Sequence, residues 1–285
     1  AAVAVAAALV IALGATTWQQ TKVYHGEESL WLDTLTKNPD CWMAHNNLGN
    51  VYYAKANDES AASRDDLDSA IRHYTQATRL QPDYPELLYS LGLGCMKAGR
   101  YAEAADAFRR ALAMEPKLVV PDFQAILHFR LAVATEKAGN PDEAIVNYRE
   151  AIRLAPHIKN SYINLGMLLE NQGRLQEATE VCRQAVANWP DFFDAQYTLG
   201  TVLETAGDLA GAEESYRKAL ALAPDSGQAY LRLAFVLARM GQTDQAEKAF
   251  QESVRLTGPN DAAAAELMQI LKSHRGGAKT QSTSH

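Results

Sequence analysis

The chain has 285 residues, of which 47% are hydrophobic and 21% are charged, and its formal net charge is -7. These proportions are ordinary for a soluble globular protein and exclude wholesale disorder, a collagen-like chain and a polytopic membrane protein. The acidic balance argues against a nucleic-acid partner, because neutralising phosphates requires clustered Lys and Arg. Cys41, Cys95 and Cys182 lie far apart, so neither a disulfide framework nor a cysteine-based metal site is indicated.

The amino-terminal segment is apolar. Residues 1–18 (AAVAVAAALVIALGATTW) carry no charge, and a helix of this length, at about 1.5 Å per residue, covers most of a hydrocarbon core of roughly 30 Å. We expect a membrane helix, truncated because the chain begins inside a longer protein. A signal-peptide core cleaved after Gly14 and an ordinary buried helix are the alternatives. Few basic residues follow this segment, and cytoplasmic flanks are usually rich in Lys and Arg. We therefore expect the rest of the chain on the non-cytoplasmic side of the membrane.

A helix is predicted next, in the segment EESLWLDTLTKNP, which carries Trp31 and ends at Pro39. From about Trp42 to Asn260 the sequence then repeats. Six Leu-Gly or Leu-Ala pairs mark the repeats, and the last three intervals between them are each 34 residues: Leu48-Gly49, Leu91-Gly92, Leu131-Ala132, Leu165-Gly166, Leu199-Gly200 and Leu233-Ala234.

Each repeat carries two apolar stripes at helical spacing, as in Leu88, Leu91 and Cys95 followed by Ala104 and Phe108. This pattern predicts two amphipathic helices per repeat, which we name the A helix and the B helix. A glycine that tolerates positive φ falls between the two helices, and a proline ends most B helices. The glycines are Gly99, Gly139, Gly173, Gly207 and Gly241. Small residues such as Gly166 and Ala178 let neighbouring helices approach closely.

Two insertions and the carboxyl-terminal end depart from the repeat. We expect a polar loop over residues 57–66 (NDESAASRDD) and a longer connection over residues 117–124 (KLVVPDFQ). After the sixth repeat, Asn260 or Asp261 is expected to cap a helix that ends near His274 and covers the last apolar face. Residues 275–285 are predicted to be a disordered tail.

This pattern resembles the tetratricopeptide repeat in six copies, at about residues 42–84, 85–118, 125–158, 159–192, 193–226 and 227–260. The resemblance implies an all-α, right-handed α-α superhelix, in which residues 19–41 form a juxtamembrane segment and a half repeat. It also implies that the A helices line a concave groove that binds a protein or peptide segment.

No constellation for catalysis, cofactor binding or metal binding is present in the sequence. The seven histidines include no i, i+3 or i, i+4 pair, so no single helix presents a zinc-binding face. His45 and His128 both occupy the fourth position of a repeat and are predicted to be partly buried structural residues. Cys95 and Cys182 are predicted to be small core residues.

The candidate binding residues lie on the A helices. They are predicted to form an apolar strip of the groove that contains aromatic residues. In the alternative interpretation, the next helix covers half of these side chains. The fifth positions of the repeats are Asn46, Tyr89, Phe129, Ile163, Tyr197 and Leu231. The ninth positions are Asn50, Leu93, Val133, Met167, Thr201 and Phe235, and one sixth position is Asn164.

Acidic residues also recur on this surface. Glu136, Glu170 and Glu204 stand at the twelfth positions of repeats three to five, and Asp194 stands at a second position. Like charges at this spacing suggest a basic, amphipathic ligand. The alternative is a solvated face with internal ion pairs, because Arg130, Lys137, Arg232 and Arg239 lie on the same surface.

Two ligand-binding modes known in this family are matched only in part by the candidate residues. The repeats that clasp an acidic carboxyl-terminal tail use Lys, Asn and Arg, which Asn46 and Asn50 match in part but Ser90 and Ile126 do not. The asparagine ladder of the O-linked N-acetylglucosamine transferases is matched only at Asn47 and Asn164.

We therefore expect a non-catalytic, membrane-tethered scaffold that binds a protein or peptide and uses no cofactor. One alternative is the substrate-recruiting carboxyl-terminal part of a multi-pass membrane glycosyltransferase of the transmembrane O-mannosyltransferase type. The boundary between the apolar helix and the motifs in residues 31–39 and 44–50 resembles that family. A free-standing periplasmic or secreted adaptor is the other alternative.

Overall fold

The computed structural model of the chain describes residues 26–57, 60–114 and 121–281. Over these ranges the chain forms fourteen α-helices and no β-strand, which confirms the predicted all-α class. The predicted membrane helix, residues 1–18, lies outside the described residues. None of the helices within them is both long and apolar enough to cross a membrane.

The chain divides into two compact units between Leu154 and Ala155. The first unit contains a single helix and the helix pairs of repeats one to three: α1 Glu27–Lys37, α2 Trp42–Lys55, α3 Ala61–Leu80, α4 Pro85–Lys97, α5 Tyr101–Leu112, α6 Pro121–Lys137 and α7 Pro141–Leu154. The second unit contains the pairs of repeats four to six and a last helix: α8 Lys159–Asn171, α9 Leu175–Asn188, α10 Phe193–Ala206, α11 Leu209–Leu222, α12 Gly227–Arg239, α13 Thr243–Thr257 and α14 Asp261–Gln281.

Within each unit, helices that follow one another in the sequence pack together. The last helix, α14, also packs against α12. Stacked helix pairs of this kind bury apolar faces that one pair alone would leave exposed. The right-handed sense of the stack stays a prediction.

The turns from A helix to B helix in repeats two to six are made as predicted. The glycine between the two helices has a positive φ in each case, from 70° at Gly173 to 85° at Gly207. At Gly207 the backbone N–H donates to the Glu204 carbonyl at 3.1 Å, and the Asp208 N–H donates to the Leu203 carbonyl at 2.9 Å. These two bonds satisfy carbonyls that the end of the helix would otherwise leave unpaired.

The close approach of the A and B helices depends on a small residue at the eighth position of the repeat. An added Cβ would lie 2.5 Å from the Tyr74 ring at Gly49, 2.4 Å from the Phe108 ring at Gly92 and 2.6 Å from the Tyr216 ring at Gly200. At Gly166 the same contact is made by Cys182 Sγ, at 2.5 Å. The twenty-fourth residue of repeats two, four and five, and Tyr74, which aligns with it when the insertion in the first repeat is left out, therefore pack directly on the backbone of their A helices.

The cysteines of the core are inert. Cys95 and Cys182 are buried, as predicted, and burial raises the pKa of the Cys95 thiol to about 11 and that of Cys182 to about 12. Since the thiolate is the reactive species, neither side chain is a nucleophile at neutral pH.

Both insertions are more helical than predicted. The expected loop over residues 57–66 contains the first two turns of α3, because Ser60 caps that helix by accepting a hydrogen bond from the Ser63 N–H at 3.1 Å. Part of the expected connection over residues 117–124 also belongs to a helix, since α6 begins at Pro121. A proline is well tolerated at this first helical position.

The last helix is longer than predicted. Asn260 caps it as expected, accepting a hydrogen bond from the Ala263 N–H at 3.0 Å, and Leu267 and Leu271 are buried. The helix continues past His274 to Gln281, so the predicted tail at residues 275–285 is helical at least over its first seven residues. Adjacent glycines cost about 1 kcal/mol each in a helix but do not by themselves end one.

Candidate peptide-binding surfaces

Each unit presents one face built from its A helices. In the first unit α2 packs beside α4, and the rings of Tyr89 on α4 and Phe123 on α6 lie 5.6 Å apart. In the second unit α8 packs beside α10, and α10 beside α12. We call these surfaces the first and second A-helix faces, and the candidate residues of repeats one to three and four to six lie on them respectively.

The candidate residues differ in exposure. Ile163 is only 8% exposed, so this side chain belongs to the core and is not a contact residue. Asn50, Met167 and Asp194 are exposed. The remaining candidates are half-buried: Asn46, Tyr89, Leu93, Phe129, Val133, Glu136, Asn164, Glu170, Tyr197, Thr201, Glu204, Leu231 and Phe235.

Met167 is the apolar candidate with the greatest exposure. Its side chain lies at the ninth position of α8 and is 49% exposed. The neighbouring helices leave about half of this side chain in water, so it is accessible to a ligand. A flexible thioether side chain adapts readily to different ligand surfaces.

The aromatic candidates rest on the aromatic residue of their own B helix. The Phe129 ring lies 5.9 Å from the Tyr148 ring, and the Tyr197 ring lies 5.7 Å from the Tyr216 ring. Tyr197 is also stacked on Phe193 at 5.6 Å. These contacts hold the rings in place before any ligand arrives, which lowers the entropy lost on binding.

Two of the three glutamates are oriented by buried tyrosines. The Tyr148 hydroxyl donates to Glu136 Oε2, and the Tyr216 hydroxyl donates to Glu204 Oε2, each at 2.8 Å. Burial and the Glu204 charge both raise the pKa of Tyr216, so its hydroxyl stays protonated and remains a donor.

Glu170 has different partners because its repeat has Cys182 in place of the tyrosine. Its carboxylate accepts hydrogen bonds from Thr205 Oγ1 at 2.5 Å and from Thr201 Oγ1 at 3.4 Å, both on the next A helix. Thr201 and Glu170, two candidate contact residues, thus also connect α8 to α10.

Cations on the second A-helix face offset its carboxylates. Arg239 Nη1 lies 3.7 Å from Glu204 Oε1. Burial opposes ionisation of Arg232, but Glu204 and the Tyr197 hydroxyl outweigh this and raise its pKa. The carboxylates of Glu170 and Glu204, the two twelfth-position glutamates of this unit, are therefore both bound by side chains of the protein itself. Glu136, in the first unit, has one carboxylate oxygen that makes no hydrogen bond within the described residues.

The two structural histidines have partners that the sequence analysis missed. His45 Nδ1 lies 3.0 Å from His73 Nδ1, and His128 Nδ1 lies 2.8 Å from Asn147 Oδ1. Asn147 stands at the twenty-third position of its repeat, and His73 aligns with it when the nine-residue insertion in the first repeat is left out, so alignment of the repeats was the signal that could have found them. The predicted partly buried, structural role of His45 and His128 is supported by this geometry.

The described parts of the chain contain no group of three or more His, Cys, Asp or Glu side chains that could hold a metal ion. The side chains described on the two A-helix faces offer apolar contacts, hydrogen bonds and ion pairs.

Comparison with known proteins identifies the repeat. Models of the tetratricopeptide repeat match residues 59–118 and 129–191, and another model of the same repeat matches residues 203–271. Among solved structures, the chain is similar to YrrB, described as a tetratricopeptide repeat protein with an unusual peptide-binding site. The identity is 23% and the TM-score 0.54, over 70% of this chain and 95% of that chain. MamA from Desulfovibrio magneticus is 21% identical at a TM-score of 0.54, over 60% and 94% of the two chains.

Curated relatives match shorter regions. The photosystem I assembly protein Ycf3 of Synechococcus elongatus is 32% identical over 115 residues, which cover 36% of this chain and 65% of that protein. A probable UDP-N-acetylglucosamine–peptide N-acetylglucosaminyltransferase SPINDLY from Hordeum vulgare is 29% identical over 100 residues, 35% of this chain and 11% of that protein. So short a match does not support the alternative interpretation, in which the chain is part of a membrane glycosyltransferase.

Proposed function

Because the chain belongs to the tetratricopeptide repeat family, we propose that it is a non-catalytic scaffold whose A-helix faces bind a protein or peptide segment. Similar proteins have an assembly role or a peptide-binding site according to their descriptions. The observation that carries the proposal is the exposure of Met167 on the second A-helix face, where the Tyr197 ring is also held in place by Phe193 and Tyr216. An apolar anchor on a ligand would cover the part of Met167 that the helices leave in water.

The ligand that fits best has apolar anchors and one basic side chain. The apolar anchors follow from the apolar groups on both faces. The basic side chain follows from Glu136, because one of its carboxylate oxygens makes no hydrogen bond within the described residues. A Lys or Arg of the ligand would pair with that oxygen while Tyr148 holds the other. The basic component of the ligand thus belongs to the first A-helix face.

A peptide array tests the proposal. Basic amphipathic, neutral and acidic peptides are measured by fluorescence against the full chain and against Met167→Ala. We expect the variant to bind its peptides about tenfold more weakly, since truncating an interface anchor costs about 1–2 kcal/mol. Leu222→Ala is the matched control, because Leu222 is 39% exposed but lies on the B helix α11. Equal effects of both variants, or no binding by any peptide, would contradict the proposal.

The charge of the ligand is tested in the same array by Glu136→Gln. This variant is expected to reduce the preference for basic peptides over neutral ones. Glu204→Gln is the matched control and is expected to leave the preference unchanged, because Tyr216 and Arg239 already bind that carboxylate. If both variants show the same preference for basic over neutral peptides as the parent chain, Glu136 does not recognise the charge of the ligand and binding depends on apolar contacts.

A membrane tether is part of this proposal. It rests on the uncharged run of residues 1–18 and would hold the repeats beside a membrane, on its non-cytoplasmic side. The full chain is then expected to stay in the membrane pellet after alkaline extraction, whereas a chain starting at Gly26 is released. Release of both would leave the scaffold proposal intact but remove the tether.

A further inference from the structure

Two imidazole rings connect the helices of the first repeat. His45 on α2 and His73 on α3 place their Nδ1 atoms 3.0 Å apart, which is the length of an N–H···N hydrogen bond. The Tyr52 ring is stacked on the His73 ring, with 5.6 Å between the centroids and 11° between the planes. The pair is half-buried, so both rings are fixed in the packing between α2 and α3.

The neighbouring backbone assigns the protons of this pair. His45 Nε2 lies 3.1 Å from the Pro39 carbonyl oxygen, which can only accept, so this nitrogen carries a hydrogen. In neutral His45 the Nδ1 atom is then an acceptor, and His73 Nδ1 must be the donor. The pair can hold one additional proton, on His73 Nε2, without breaking the bond. A second additional proton would go onto His45 Nδ1, where it would face the hydrogen on His73 Nδ1. Two donors would then oppose each other, and the hydrogen bond would be lost.

The third repeat contains the same connection with a different acceptor. His128 and Asn147 stand at the repeat positions of His45 and His73, and His128 Nδ1 lies 2.8 Å from Asn147 Oδ1. The Asn147 amide nitrogen donates to the Glu143 carbonyl at 2.9 Å, which turns its oxygen toward the imidazole. An amide oxygen accepts from neutral and from charged imidazole alike, so acid does not break this bond.

The surroundings of His73 oppose a positive charge. Burial, the proximity of His45 and the charge of Arg72 lower the pKa of His73. On α1, Asp33 is paired with Lys37, and Glu28 is paired with Lys55 of α2. On α4, the Lys97 ammonium donates to the Tyr53 carbonyl at 2.9 Å. The other charged groups on the packed helices are Glu27 of α1, Arg64, Asp65, Asp66, Asp68 and Arg79 of α3, and Glu86 of α4.

We propose that His45 and His73 form a proton-sensitive link that holds α2 against α3 at neutral pH and is broken by acid. Free histidine takes up a proton at about pH 6.5. The unfolded first repeat therefore binds both protons as the pH falls below this value, while the folded repeat resists the second. The repeat is therefore most stable above about pH 6.5 and loses stability as the pH falls through the lowered pKa of His73.

The link borders the first A-helix face. Asn46 follows His45 on α2, and Tyr74, which follows His73 on α3, donates its hydroxyl hydrogen to Asn50 Oδ1 at 2.8 Å. Separation of α2 from α3 would displace both asparagines. This consequence for ligand binding rests on the proposed function, whereas the acid sensitivity of the repeat does not.

Hydrogen exchange of the full chain, without ligand, tests the proposal. Amide protection is compared at pH 7.5 and 5.5 after correction for intrinsic exchange rates. In the parent chain the amides of α2 and α3 are expected to lose about tenfold more protection than those of α6 and α7. His73→Asn converts the first repeat to the pair of the third repeat and should remove this difference. Asn147→His makes the reciprocal change and should give α6 and α7 the acid sensitivity.

Equal loss of protection in the parent chain and in His73→Asn would overturn the proposal. So would nitrogen chemical shifts showing that both imidazoles are protonated while α2 and α3 keep their protection. If His73→Asn does not fold, Asn147→His decides, because an unchanged response of α6 and α7 would equally overturn it. Loss of peptide binding with unchanged exchange would count against the scaffold proposal and not against the link.

Discussion

Replacing Tyr216 by Ala is expected to lower the free energy of unfolding of the second unit by about 3–5 kcal/mol. Tyr216 is fully buried, packs on the Gly200 backbone and supports the Tyr197 ring. Removing its ring leaves a cavity between α10 and α11 that the surrounding helices fill only partially. The loss is measured by equilibrium denaturation followed by circular dichroism, with tryptophan fluorescence as a second probe.

Tyr216→Phe separates the ring from the hydroxyl. This variant keeps the packing but leaves Glu204 without its hydrogen bond, and we expect a loss of about 1–2 kcal/mol. If Tyr216→Ala were no more destabilising than Tyr216→Phe, the ring would not be the element that spaces α10 from α11.

Gly92→Ala is expected to lower the free energy of unfolding of the first unit by about 2 kcal/mol, by overpacking. The added methyl group would lie 2.4 Å from Phe108 Cε1 and 2.6 Å from Cζ, and Phe108 is fully buried with no room to turn aside. The third repeat has Ala132 at this position, so the loss reflects the local spacing of α4 and α5 and not a rule of the repeat.

Gly94→Ala is the matched control for Gly92→Ala, two residues along the same helix. Its added Cβ would meet the Tyr74 ring at 3.3 Å and Ile71 at 3.4 Å. A small displacement relieves such contacts, and alanine gains about 1 kcal/mol of helix propensity over glycine. We therefore expect a change within about 1 kcal/mol in thermal or chemical denaturation. Equal losses in the two variants would show that the contact with Phe108 is not decisive.

The sequence predicted the elements that depend on local residues. The glycine turns, the Asn260 cap and the small eighth-position residues follow from backbone chemistry and from side-chain size, and both can be read from one repeat at a time. The insertion at residues 57–66 was misread as a loop because polar residues such as Asp65 and Asp66 also suit the exposed side of a longer helix.

The features that were missed depend on contacts between helices. The repeat period places Ile163 with the surface residues, but only packing shows that this side chain is buried. The hydrogen bonds to Glu136 and Glu204 join residues twelve positions apart on two helices, which helical periodicity does not connect. The division at Leu154 also has no signal in the spacing, since the interval from Leu131 to Leu165 is a regular 34 residues.

Binding of a ligand to the A helices should be visible in a hydrogen-exchange footprint. The peptide of the array that binds most tightly is added to the full chain, and amide protection is compared between the A and B helices of the same unit. We expect new protection in α8, α10 and α12, or in α2, α4 and α6, with the B helices unchanged. Protection confined to B helices such as α9, α11 and α13 would show that the ligand binds elsewhere.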